Sequence, residues 1–410
     1  AGAMRLLGPN TLGLVNLTDK IVLSASGALE MDTFPTGPVG MVSQSGGVLS
    51  AILSRSAARG LGLSKLISTS NEVDLELSDF IDYLVDDPAT RVIALYIETI
   101  RHPEQFRQAA RRAAMAGKPV VAFKVGRSEA GARAAVSHTG AMAGSDRMYD
   151  AFFASLGVQR AQSFADLLNM ASILGTDRSL LGKRVAILTS TGGAGTLVSD
   201  SLGLSGFETP DPDAQTVAAL RGVEVAGVSI SAGLDCNPID VTLAGLQPDF
   251  LSGLCKALMT SDQYDALCVI VGASGIGHPR LMADALRQQL HVSKKPVFAY
   301  VSPHAPHVLP VLMASGIPAF TEAEHCAVAL EALWKQSQRS TSSQTHAPSS
   351  PNQERTVNAA EVMSYTGSLN EYQAKTTVCP VLVFLVSEST SSRMTRRFNQ
   401  RTLISTDLWC

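Results

Sequence analysis

Aromatic side chains make up only 5% of this 410-residue chain, and charged ones only 17%, with a formal net charge of −3. A chain so close to neutral has no electrostatic pull toward nucleic acid or an anionic membrane surface. No apolar run approaches the roughly 20 residues needed to span a bilayer, and the start lacks the charged-then-apolar order of a signal peptide. The six cysteines, at 236, 255, 268, 326, 379 and 410, are scattered without a Cys-x-x-Cys or a close histidine. That excludes a recognisable zinc site or disulfide framework and fits a reduced cytoplasm. Gly-x-Ser-x-Gly and His-Glu-x-x-His are also missing, which removes support for serine hydrolase and zinc protease chemistry.

What the chain does have is Ala, Gly, Val and Leu in quantity, with 45% hydrophobic residues. This composition suits packed layers of helix and strand, and the length exceeds one ordinary domain. Apolar runs at Val39 to Val42, Val92 to Ile97 and Val120 to Lys124 read as strands, with helices at Asp79 to Val85 and Pro103 to Ala116. The same succession restarts at Lys183, with later strands in 264–273 and 294–302. Both halves close with a Gly-Val or Gly-Ile step before a terminal helix, in 152–174 and 311–333. We therefore expect an α/β fold made of two flavodoxin-like parallel sheets with helices on both faces. After Lys335 the polar run QSQRSTSSQTHAPSSPNQER is too poor in apolar residues to pack and reads as a linker.

The chemistry-bearing stretch is SEAGARAAVSHTGAMAG, 128–144, which sets His138 among small residues on a loop with no second metal ligand nearby. An imidazole so placed reads as a nucleophile, although a bland surface histidine has the same local sequence. Ser43-Gln44-Ser45-Gly46-Gly47 follows a strand and opens a helix, where backbone N–H groups and the helix dipole favour an anion. Thr191-Gly192-Gly193-Ala194-Gly195 repeats this in the second half, with Val198 where a dinucleotide fingerprint needs its third glycine and without a P-loop lysine. Either turn alone is often a mere tight connection; two at matching places are more informative. Glu98, ending the strand VIALYIETI, sits where open sheets place ligands. A carboxylate there would fix the tautomer of a neighbouring imidazole and leave its other nitrogen free to attack phosphorus. The remaining histidines, such as His278, His304 and His307, lie in Pro-rich or polar turns and read as structural.

These residues together resemble the NDP-forming acyl-CoA synthetases, relatives of succinyl-CoA synthetase. The likeness spans about 5–335 and rests on RLLGPNTLGLVN, VSQSGG, STSNEVDLELSDFIDYLVDDP, YIE, GRSEAGARAAVSHTGAMAGSD, TSTGGAG and NPIDVT in that order. It implies that His138 is a phosphohistidine taking its phosphoryl group from an acyl phosphate, with Glu98 as its hydrogen-bond partner. The helices opening at Ser45–Gly47 and Gly192–Gly195 would match the paired helices that face it. The resemblance also implies CoA, acyl-CoA, phosphate and NTP or NDP as substrates. An ATP-grasp domain or subunit would bring Mg²⁺, with no metal held by this chain, and self-association is left open.

The departures shape the expected boundaries. Residues 1–36 would be the end of a Rossmann-like CoA-binding domain, leaving Asn10 as the one CoA-side candidate and Thr11 where succinyl-CoA synthetase has cysteine. Residues 37–178 and 179–335 would be the two sheet domains, 336–366 a linker, and 367–410 an aberrant start of an ATP-grasp domain. A chain that opens at Ala1 within a domain reads as a fragment. Two other readings compete. One is a non-catalytic acyl-CoA-binding regulatory module, like the ligase-like half of certain protein acetyltransferases; the other is a flavin-binding flavodoxin relative.

Overall fold

The computed structural model describes residues 4–31, 33–131, 133–134, 146–223, 233–242 and 247–345. Two sheets organise them. In the first, strands β3 (Thr36–Ser43), β4 (Leu63–Ser68), β5 (Val92–Ile97), β6 (Val120–Lys124) and β7 (Gln159–Arg160) run parallel in the order β4-β3-β5-β6-β7. In the second, β8 (Val185–Thr189), β9 (Ile239–Asp240), β10 (Ala266–Val271), β11 (Val297–Val301) and β12 (Ala319–Phe320) repeat that arrangement as β9-β8-β10-β11-β12, again parallel. Second-first-third-fourth-fifth is the doubly wound order in which helices switch face beside the first strand, opening a crevice at its carboxyl end.

The near-continuous apolar runs of these strands reflect burial on both faces. In β10, Ala266, Cys268 and Ile270 enter a layer lying between the two sheets, while Leu267, Val269 and Val271 enter the outer layer. In β5, Ala94 faces the shared layer, and Ile93, Leu95 and Ile97 face away from it. The shared layer also takes α1 (Gly46–Arg59), α5 (Phe164–Leu174), α6 (Gly192–Leu204) and the front of α11 (Ala323–Thr345). The outer face of the first sheet carries α2 (Leu77–Asp86), α3 (Pro103–Met115) and α4 (Asp146–Leu156). That of the second carries α7 (Ala214–Arg221), α8 (Pro248–Thr260), α9 (Pro279–Gln289) and α10 (Val308–Ala314). Helix α1 buries Leu49, Ile52, Leu53 and Ser56, one stripe at helical spacing, and ends at Gly60 in the left-handed region, φ 73°. A side chain at Gly60 would also strike the Pro310 backbone, 2.5 Å from an added Cβ.

Strand positions follow the sequence closely: β5 and β6 match their expected bounds, while α2 starts two residues earlier than its apolar pattern, at Leu77, and α3 stops at Met115. Two segments differ from expectation. The 1–36 stretch, assigned by sequence to a preceding domain, instead adds β1 (Gly13–Asn16) and β2 (Ile21–Ser24) to the first sheet, β1 pairing antiparallel with both β2 and β4. Its Val15 side chain is fully buried in the shared layer, which explains why it stays. The polar run after Lys335 does not start as linker either. Helix α11 continues through it to Thr345, because the Ser337 hydroxyl accepts from the Leu180 N–H at 2.9 Å and Arg339 donates to the Gly157 carbonyl. No described helix is long and apolar enough to cross a membrane.

Phe298, fully buried, meets Phe320 edge-on at 6.3 Å within the shared layer. Replacing Phe298 by Ala should cost about 3–5 kcal/mol, against less than about 0.5 kcal/mol for Leu204→Ala, since Leu204 is 84% exposed. Urea unfolding midpoints measure both; equal effects would contradict a load shared by both sheets.

Candidate functional site

At the carboxyl ends of β3 and β5, the first and third strands of the doubly wound order, lies a cavity of about 250 Å³ lined by Asn10, Leu12, Gln44, Ser45, Gly46, Gly47, Ser70, Asn71, Glu98, Thr99 and Arg101. Four segments converge on it because the backbone ladder continues past the strands. The Gln44 N–H donates to the Tyr96 carbonyl at 3.1 Å and the Thr69 N–H to the Ser43 carbonyl at 2.9 Å. The N-terminal segment is tied alongside by the N–H groups of Asn71 and Val73, which donate to the carbonyls of Pro9 and Gly8. Thr11 adds a hydroxyl bond to the Ser68 carbonyl at 2.5 Å.

The Gln44 side chain is the hub. Its Oε1 accepts from the backbone N–H of Glu98 at 2.6 Å and of Thr99 at 2.9 Å, and its Nε2 donates to the Thr99 carbonyl at 2.8 Å and to Glu72 Oε2 at 2.7 Å. Ser43 is similarly committed: its hydroxyl accepts from the Ser45 N–H and donates to the Ser45 carbonyl. Both were expected as phosphate donors. Their polar groups instead hold the turn, so their part in this arrangement is to shape it.

Ser45 and Gly46 begin α1 differently from most helices. Ser45 caps with extended backbone, φ −118°, and no side-chain hydrogen bond, so the N–H groups of the first turn have no intrahelical or capping acceptor. Gly47 is open: a Cβ added there would meet nothing within 4 Å. The second half repeats the construction. Thr189 Oγ1 accepts from the Thr191 N–H and donates to the Thr191 carbonyl, and Thr191 caps α6 with no side-chain bond. Gly193, like Gly47, faces open space. Residues 191–195 are not among the described residues that line the cavity; Gly192 lies beside Asp240 and Gly195 against Pro238.

Of the expected site residues, then, Glu98, Gln44, Ser45, Gly46, Gly47 and Asn10 line one cavity. Thr191, Gly192, Gly193, Ala194 and Gly195 open the corresponding helix of the other half, and His138 lies outside the described residues. The sequence reading missed Glu72, Thr99, Ser70, Asn71 and Arg101. Their signal was position, a polar run directly after β4 and β5, and not any residue pattern. Glu98 is 7% exposed. Near it Lys124, almost fully buried, donates to the Val125 carbonyl and lies 4.6 Å from the Tyr149 ring centroid. Burial, with Arg160 adding, pushes its ammonium down to about 8 against the pull of Asp146 and Glu98. Among the described residues no group of three or more His, Cys, Asp or Glu could hold a metal ion.

The sequence profile of the succinyl-CoA ligase like flavodoxin domain matches residues 36–174, from β3 through α5. The alpha subunit of ADP-forming acetate–CoA ligase II of Pyrococcus furiosus is 32% identical over 342 residues, covering 81% of this chain and 71% of that one. This chain belongs to the ADP-forming acetate–CoA ligase family. It is thus an acid–thiol ligase module. The ADP-forming acetate–CoA ligase of Methanocaldococcus jannaschii is 35% identical over 243 residues, of which this chain spans only 32%. Among solved structures, an acetyl-coenzyme A synthetase of Ca. Korarchaeum cryptofilum in complex with phosphate and ADP superposes with a TM-score of 0.70 at 28% identity. That likeness covers 84% of this chain and 73% of the other.

The Glu72 carboxyl is buried, and burial, with Glu76 adding, pushes it up to about 7 from near 4.5 despite its donors Thr69, Gln44 and the Leu77 N–H. A raised folded-state value means that between pH 4.5 and 7 the folded chain keeps a proton the unfolded chain has lost. Its contribution is therefore full below about 4.5, declines as pH rises through that window and levels above about 7. Urea midpoints across pH 4 to 8 should show wild type losing stability relative to Glu72→Gln over this range; parallel profiles would refute the assignment.

Proposed function

We propose that this chain is the phosphohistidine-bearing part of an NDP-forming acyl-CoA ligase that runs acid + CoA + NTP ⇌ acyl-CoA + NDP + phosphate. The observation that carries this reading is Glu98, its backbone N–H held by Gln44, lining one cavity together with the uncapped start of α1. In the acyl-CoA-consuming direction, a phosphate oxygen attacks the thioester carbonyl and the thiolate leaves, giving acyl phosphate. A lone pair on the free imidazole nitrogen of His138 then attacks phosphorus, and the P–O bonding pair departs with the carboxylate. Glu98 accepts the hydrogen bond of the other ring N–H throughout, fixing the tautomer and stabilising the cationic phosphorylated ring. The uncapped N–H groups of Gly46 and Gly47, and those of Gly192 and Gly193 at the matching helix start, hold phosphoryl oxygens without a resident cation.

The NDP site and its Mg²⁺ belong in this reading to an ATP-grasp partner, and Asn10 is the one CoA-side residue assigned here. The first sheet domain is taken as 37–178 together with the β1–β2 hairpin, and the second as 179–335 with the rest of α11. The described thiols, Cys236, Cys255, Cys268 and Cys326, are all free, which supports a cytoplasmic site of action. The regulatory alternative gains nothing from the relatives above, which bear ligase names.

With labelled ATP and a separate ATP-grasp subunit, or with acyl-CoA and labelled phosphate, the chain should acquire acid-labile label that His138→Ala abolishes. Glu98→Gln should slow labelling about 10- to 100-fold. Label retained in His138→Ala would overturn the assignment.

A further inference from the structure

We propose that Glu72 is a positioning residue for this site, fixing through the Gln44 amide the backbone that carries Glu98. The inference rests on the phosphohistidine reading for its consequence but on geometry alone for its mechanism. A carboxamide is nearly symmetric in shape, so packing does not decide which end of Gln44 points where. Turned over, it would set its NH₂ against the N–H groups of Glu98 and Thr99 and its oxygen against the Thr99 carbonyl. Those backbone groups oppose that orientation on one side, and Glu72 opposes it on the other. Glu72 Oε2 takes the Gln44 Nε2 donor at 2.7 Å, while Glu72 Oε1 is engaged by the Thr69 hydroxyl at 2.7 Å and the Leu77 N–H at 3.1 Å. An ionised carboxylate is an acceptor at both oxygens and has no donor to offer, so the flipped amide would face it oxygen to oxygen.

Three features set Glu72 apart from an ordinary buried acid. It is 7% exposed, and the partners just named are neutral donors, so the usual ion-pair compensation is not what keeps it there. Its backbone is left-handed, φ 50°, a conformation uncommon for a residue with a Cβ, and Ser70 two residues earlier shares it at φ 53°. Its acceptor chain ends on Glu98 and Thr99, the two residues where β5 gives way to the cavity wall. Displacing a reacting-group partner by an ångström is enough to impair a transfer step.

Glu72→Gln preserves volume but puts an NH₂ where one oxygen stood. Both the Leu77 N–H and Gln44 Nε2 are fixed donors, so one of them must then meet a donor. Exchanging the pair, Gln44→Glu with Glu72→Gln, keeps an acceptor for the Glu98 and Thr99 N–H groups and restores a donor between the two side chains, but sets a carboxylate oxygen against the Thr99 carbonyl in place of the 2.8 Å bond, so its recovery is partial. A brace that mattered only for folding would not make the position of Glu98 follow that exchange.

The test uses the deuterated, ¹⁵N-labelled full chain, reading the Glu98 and Thr99 amide signals and, in parallel, the labelling of His138 by ATP with a separate ATP-grasp subunit. We expect Glu72→Gln to displace both amides and slow labelling about tenfold or more, and the exchange variant to bring both readouts back toward wild type. Wild-type amides should also move together with pH between about 5.5 and 8.5, a change absent from Glu72→Gln. The charged group that acts on Glu72 is Glu76, which pairs with His102 at 2.7 Å and whose backbone N–H donates to Asp79; Glu98 and Arg101 line the cavity beyond Gln44. His102→Ala should keep the titration, which separates the carboxyl from the imidazole. Amides unmoved in Glu72→Gln, or moved with labelling unchanged, would overturn the inference. If wild type itself takes no label, the phosphohistidine reading falls, and the amides alone decide Glu72: displaced and restored by exchange upholds its hold on Glu98, unmoved refutes it. Should Glu72→Gln fail to fold, the wild-type titration and the exchange variant carry the same decision.

Discussion

One carboxamide holds the ends of three strands in register. Gln44 follows β3, its Oε1 takes both N–H groups where the chain leaves β5, and its Nε2 reaches the segment that leaves β4. Each of those groups is buried, and a buried backbone N–H without an acceptor costs about 1–3 kcal/mol. The amide therefore answers two needs together. It satisfies polar groups that parallel strands leave exposed at their carboxyl ends, and in doing so it sets the width of the crevice at the switch point of the first sheet. Glu98 and Thr99, both lining the cavity, are tied by that bond set to the residue that precedes Ser45.

Much of the fold was legible because parallel strands buried on both faces write themselves as short apolar runs. VIALYI and VVAFK became β5 and β6 without adjustment. The repeat was legible for the same reason, since both halves follow each strand with an amphipathic helix in one order. What escaped was governed by contacts remote in sequence. The hairpin at 13–24 reads as a leftover of another domain, yet Leu14 and Val15 pair with Ile67 and Leu66, some fifty residues on. The Ser- and Gln-rich turns after Lys335 look unable to pack, yet Ser337 finds the Leu180 N–H across the sequence.

The site divides the same way. Glu98 and the Gly-rich helix starts could be read from local pattern, because a strand end and a helix start carry their own chemistry. Glu72 could not. A glutamate two residues from another polar turn has no sequence mark of burial, and its importance depends on an amide 28 positions away. Conversely, Ser43 and Gln44 looked like ligand donors because their types suit that task, whereas their partners show that they are occupied with the backbone.

The two helix starts bear out a distinction between glycines that pack and glycines that leave room. Gly195 is demanded by Pro238, whose Cβ would lie 2.8 Å from a side chain there, and Gly46 by Leu12 at 3.0 Å. Among the described residues nothing demands Gly47 or Gly193: neither has a left-handed backbone, and an added Cβ would meet no described atom within 4 Å. Both glycines stand second in their helices, where the fold gives up the side chain and the lower chain entropy that alanine would bring. The same loss occurs in both halves, next to N–H groups that no side chain caps. A glycine that recurs at the same step of both halves and meets no described neighbour fits the proposed reading, in which a phosphoryl group comes close to each helix start.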